Sequence, residues 1–101
     1  MDQGLLPRRY AKALLLFCRE RQADARLYGL MQRLEAAFDA EPRLQSTLAN
    51  PHVEIADKMA LIHAAAGTDT EPDDAFADFI KLLADNKRLG SLRDIALAYI
   101  A

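Results

Sequence analysis

Two histidines, one cysteine and a short run of carboxylates are the side chains of this sequence best suited to metal-binding, nucleophilic or acid–base chemistry. His52 and His63 stand eleven residues apart, and with Cys18 they do not form a zinc-ligand spacing. His63 lies beside the apolar positions of a predicted helix and reads as a histidine at the edge of the core, whereas His52 follows Pro51 and reads as a loop residue. Cys18 sits inside an apolar stretch, which suits a small buried hydrophobe better than a nucleophile. Asp73, Asp74 and Asp78 cluster where a helix is expected to begin, and negative charge there complements the positive end of the helix dipole. The glycines Gly4, Gly29, Gly67 and Gly90 are too dispersed for a phosphate-binding loop. Arg8, Arg9 and Lys12 have the spacing of a solvated helix face. No catalytic, metal or cofactor constellation emerges, so the chain is read as non-catalytic and without a cofactor.

The charge balance removes further classes. Lys and Arg number 13 against 15 Asp and Glu, a net charge of −2, and the signs are interspersed. A bulk positive field for nucleic acid or anionic lipid is therefore not expected. The longest wholly apolar run, Ala13 to Cys18, is far below the roughly 20 residues that cross a bilayer. Leu15-Leu16-Phe17-Cys18 looks like a lipoprotein cleavage box only superficially, because Phe17 is too bulky for the small residue required before the cysteine. With a single cysteine, no intrachain disulfide can form.

The elements that must position any site are helical. Of 101 residues 51% are apolar; Ala contributes 19 and Leu 16, whereas Val, Ile and Thr together contribute nine, so the β-branched residues that sheets favour are scarce. The punctuation predicts six helices. The first runs from Leu5 to about Arg21, with Pro7 tolerated in its first turn. The second spans about Asp24 to Asp39, with Leu27, Leu30, Met31, Leu34 and Phe38 at spacings of three and four. A short third helix runs from Pro42 to about Ala49 and is stopped by Asn50-Pro51. A fourth carries Ile55, Met59 and Ile62 and ends at Gly67, a candidate left-handed terminator. Thr70 with Asp73 is the expected capping box of the fifth, and Ser91 with Asp94 that of the sixth. Short connections between them suit a compact all-α, six-helix bundle.

On a helical wheel the apolar residues of helix one spread over roughly 200°, where a core-facing stripe needs little more than about 100°. Helix five shows the same surplus, with Leu82, Ala75 and Phe79 on one edge and Phe76, Ile80 and Leu83 on the other. Two explanations stand at this point. Either both helices are central and covered on all sides, or one edge of each builds the core while the other edges line a groove for a partner helix.

Three stretches resemble a known family. Arg9-Tyr10-Ala11-Lys12-Ala13-Leu14 is similar to the opening of the delta subunit of the F-type, proton-translocating ATP synthase, called the oligomycin-sensitivity-conferring protein in mitochondria. Asn50-Pro51 with Lys58 in the next helix matches the middle of that family. Phe79-x-x-Leu82-Leu83-x-x-Asn86-x-Arg88-Leu89-x-x-Leu92-x-x-Ile95-x-x-x-Tyr99 resembles its pattern in spacing as well as residue type.

The resemblance implies a six-helix N-terminal domain over residues 1–101 that binds the N-terminal helix of the alpha subunit between its first and fifth helices. The groove would be lined by Tyr10, Ala13, Leu14 and Phe17 with Ala75, Asp78, Phe79 and Leu82, and the choice of these outward edges rests on the resemblance. Such a domain ties the catalytic head to the peripheral stalk against rotor torque. Contact with the stalk b subunit belongs to a C-terminal domain of the family for which no counterpart is found in this sequence. The implied location is the cytoplasmic face of a bacterial inner membrane, peripheral and without insertion. Asn86 and Arg88 read as fixers of the turn between helices five and six. An unrelated helical interaction module, such as a death-domain-like or antitermination-factor-like bundle, shares the composition and is the alternative; the RNA-binding version needs a basic face that net −2 does not supply.

Overall fold

Helix α2 (Asp24–Ala40) shows most directly how the sequence becomes structure. Leu27, Leu30, Met31, Leu34 and Phe38 recur at helical spacing, and all five are buried. The computed structural model describes residues 5–20 and 24–100; side chains are described throughout these spans except at residues 5–7 and 18, so the expected core role of Cys18 lies outside the described residues. Around α2 stand α1 (Leu5–Glu20), α3 (Arg43–Ala49), α4 (Ile55–Ala66), α5 (Asp74–Asp85) and α6 (Leu92–Ile100), with a single 3-10 turn, Leu89–Ser91, leading into α6. The fold is all-α, with six helices and no strand among the described residues, as the composition implies. The radius of gyration, 12.5 Å, is that of a compactly folded chain of this length.

α6 holds the middle of the bundle. It packs against both α1 and α2, and Leu92, Ile95 and Ala96 on it are fully buried. Tyr99 extends this seam, its ring tilted against Tyr28 at 6.4 Å and its hydroxyl donating to the Asp24 carbonyl at 3.3 Å. Neither α1 nor α5 is covered on all sides. Leu16 on α1 is 53% exposed and Leu82 on α5 47% exposed, which overturns the reading that made both helices central.

Helix ends follow the local chemistry. Asn50 is extended, as the following Pro51 requires, and α3 stops there. Gly67 ends α4 at φ +80°, with the Thr68 N–H donating to the His63 carbonyl and the Gly67 N–H to that of Ala64, so two of the orphan carbonyls of the last turn are satisfied. The cap of α5 differs from expectation. Asp73, not Thr70, is the N-cap, its carboxylate accepting from the Phe76 N–H at 3.0 Å. Thr70 instead donates to the Gly67 carbonyl, closing the loop after α4. The charged cap prevails because the Arg26 guanidinium on α2 also donates to it, joining helix start and bundle in one group. Ser91 does precede α6, but as the last residue of the 3-10 turn.

α5 ends in the same way as α4, without a glycine. Lys87 takes φ +58°, and the N–H groups of Lys87 and Arg88 donate to the carbonyls of Ala84 and Leu83. A lysine in the left-handed region is strained relative to glycine. Lys87→Gly is therefore expected to raise stability by about 0.5–1 kcal/mol, or a few degrees in thermal midpoint. An unchanged or lower midpoint would contradict that account.

Asp73 supplies a second test. Its burial opposes ionisation, but the bonds from Arg26 and from the Phe76 N–H prevail and hold the carboxyl below its ordinary value of 3.8. A lowered folded-state value stabilises the fold fully above that ordinary value, and the contribution disappears as the pH falls through the folded one. Asp73→Asn keeps an acceptor for Phe76 but loses the charge facing Arg26. In urea unfolding it should cost on the order of 1 kcal/mol at neutral pH, with Arg26 largely in solvent. The gap from the unsubstituted chain should close in acid; a gap independent of pH would show that the ion pair contributes nothing.

Candidate helix-docking groove

α1 leans chiefly on α6, and α5 on α4 and the 3-10 turn, so these two helices do not close on one another. A concavity of about 410 Å³ lies between them, lined from α1 by Tyr10, Ala13, Leu14 and Phe17 and from α5 by Asp78, Phe79 and Leu82. These are seven of the eight residues that the family resemblance placed along a groove. Leu14 and Phe79, 1% and 4% exposed, are core residues that form its floor. Tyr10 and Phe17 are half-buried walls, and Ala13, Asp78 and Leu82 stand exposed at the rim. Asp78 is the single charged residue in this lining.

Ala75 departs from the expectation. It shares the angular position of Phe79 and Leu82, but it lies in the first turn of α5 and is 2% exposed, in the core rather than the groove. A side chain of one carbon ends below the surface that its neighbours make. Asn86 does more than fix the turn. Its amide donates to the Tyr10 hydroxyl at 3.3 Å, bridging from the end of α5 to α1.

The polar candidates take structural places. His63 is half-buried, with Nδ1 2.6 Å from the Thr68 hydroxyl and its ring edge-on to Phe76 at 5.6 Å. His52 is an exposed turn residue whose backbone N–H donates to the Asn50 side chain. Arg8, Arg9 and Lys12 are exposed. Among the described residues no group of three His, Cys, Asp or Glu side chains could hold a metal ion, and no helix is long and apolar enough to cross a membrane.

A second concavity, of about 510 Å³, borders α5 on another side and includes Lys58 and Lys87. The sequence reading missed it. A signal was present, because Lys58 falls at a stripe position between Ile55 and Ile62, three and four residues away, where an apolar side chain is expected.

The two helices thus border an apolar channel within an all-α bundle. Comparison with known proteins gives the family: residues 6–101 match that of the ATP synthase delta (OSCP) subunit, and the chain belongs to it. It is 39% identical over 100 residues to the ATP synthase subunit delta of Bacteroides thetaiotaomicron, covering 99% of this chain and 54% of that one. It is 37% identical to the subunit delta of Parabacteroides distasonis over the same shares. Similarity extends to ATP synthase subunit 5, mitochondrial, of Saccharomyces cerevisiae, at 28% over 87 residues, 86% of this chain and 41% of that one. The chain spans about half the length of the curated bacterial relatives it matches. No solved structure matches it. These matches do not favour the unrelated death-domain-like or antitermination-factor-like module.

Floor and rim differ in what they should contribute to stability. Leu14→Ala empties a filled core position and is expected to cost about 2–5 kcal/mol in denaturant unfolding. Leu82→Ala, at the rim, should cost about 0.5 kcal/mol or less. Comparable losses at the two positions would contradict this division.

Proposed function

We propose that the groove between α1 and α5 receives the N-terminal helix of the alpha subunit of an ATP synthase, and that the domain acts as a non-catalytic adaptor in the peripheral stalk. The observation that supports this most is the nearly uninterrupted apolar lining from Tyr10 to Phe17 facing Phe79 and Leu82. Along α1 this strip is about 10 Å long, enough to take about two turns of a visiting helix with anchors three and four residues apart. Ala13 admits the visitor's backbone closely, and Tyr10 packs its ring while its hydroxyl remains in water or on Asn86. Each Leu or Phe side chain that the visitor buries there gains about 1.5–3 kcal/mol before the cost of association.

In this role the domain transmits force, and its residues act on neither nucleotide nor proton. The alpha-subunit helix holds it to the catalytic head, so that rotor torque drives nucleotide chemistry instead of turning the head. Contact with the b subunit of the stalk is assigned to a C-terminal domain of the family. Placement is peripheral, at the cytoplasmic face of a bacterial inner membrane, through the complex rather than through insertion.

The test is titration of the chain with a fluorophore-labelled peptide of the alpha subunit's N-terminus. Saturable binding tighter than about 10 µM, near −7 kcal/mol, is expected. Tyr10→Ala combined with Leu82→Ala should weaken it by about tenfold or more. An unchanged affinity in a double variant that still folds would reject the groove as the site.

A further inference from the structure

The larger concavity combines apolar walls with two cationic side chains that have no ion-pair partner among the described residues. Leu48, Pro51, Val53 and Leu89 supply walls from the end of α3, the following turn and the 3-10 turn, and Ile55 at the start of α4 stands 46% exposed beside them. Lys58 lines the cavity at 9% exposure, and among the described residues its ammonium has no hydrogen-bond or ion-pair partner. Glu54, one turn earlier on the same helix and suitably spaced, does not take it up. Lys87, exposed and held in its left-handed conformation, lines the same cavity.

The start of α4 borders the same cavity through Ile55. Its N-cap residue, Glu54, makes no side-chain capping bond, so the first-turn N–H groups of this 12-residue helix lack that partner. Asp57 in that turn is exposed and is not part of the cavity lining. The stem of Lys58 is buried while its ammonium, unpaired among the described residues, reaches the cavity, where an incoming carboxylate would give it a charge-assisted bond.

We propose that this cavity is a second docking site, for a partner protein segment in which a carboxylate side chain is flanked by apolar ones. The carboxylate sits between Lys58 and Lys87, and the apolar neighbours cover Val53 and Ile55. Charge selects an acid, and the size and apolar walls select a peptide rather than a small inorganic anion. The site is separate from the helix-docking groove. Ala84, which lines it, lies two residues beyond Leu82 and so about 200° around α5.

The test is an amide-resolved NMR titration of the 101-residue chain with the acetylated, amidated peptide LELLEL. Its glutamine counterpart LQLLQL, inorganic phosphate and phosphatidylglycerol vesicles are titrated in parallel. Expected are saturable shifts at Ile55, Lys58, Lys87 and Gly90, with a dissociation constant on the order of 1 mM or tighter. The glutamine peptide and each of Lys58→Gln and Lys87→Gln should weaken binding about fivefold or more. Lys87 is exposed, so its variant keeps the test decisive if Lys58→Gln does not fold. Equal binding of the two peptides, shifts confined to the Tyr10–Leu82 groove, or no saturation would each overturn the proposal. So would phosphate that binds more tightly than the acidic peptide, or vesicles that bind while the peptide does not.

Discussion

The packing of α6 between α1 and α2 governs the rest of the arrangement. Leu92, Ile95 and Ala96 are buried in that seam, so the inner face of α1 is committed chiefly to α6. α5 in turn is fixed from the other side by α4 and by its N-cap tie to α2. Two helices held apart by their own partners leave a channel between them. Because Leu14 and Phe79 serve as core residues as well as floor, the channel exists before any ligand arrives. A preformed receptor surface lowers the ordering cost of association, leaving more of the contact energy to appear as affinity.

Much of this was legible in the sequence because helices are governed by short-range rules. Apolar spacing located α2 and its five buried residues, Pro51 located the end of α3, and Gly67 located the left-handed terminator of α4. The wide apolar arcs of helices one and five left both a central and a groove-lining reading open, and the family resemblance favoured the groove. What the wheel could not supply is the depth of each residue. Ala75 and Leu82 share an angle, yet one is in the core and the other at the rim, because side-chain length and neighbouring elements decide cover.

Other misses have similarly local causes. Thr70 and Asp73 are both good caps, and the choice between them depended on Arg26, which lies 47 positions away from Asp73 in sequence. Lys58 belongs to the family pattern and also occupies an apolar stripe, between Ile55 and Ile62. Such a residue is informative because its stem packs with the stripe while its ammonium must reach solvent or a partner. Among the described residues the Lys58 ammonium has no ion-pair partner, so its charge is presented at the cavity.

The bond from Asn86 to the Tyr10 hydroxyl has a mechanical meaning. Its side chains face solvent and the separation is 3.3 Å, so water can replace either partner at little cost. The spacing of α1 and α5 is thus set from beneath, by packed carbon, while the surface link acts as a releasable latch. In a wall built this way the floor takes its shape from packed carbon and does not depend on one polar contact.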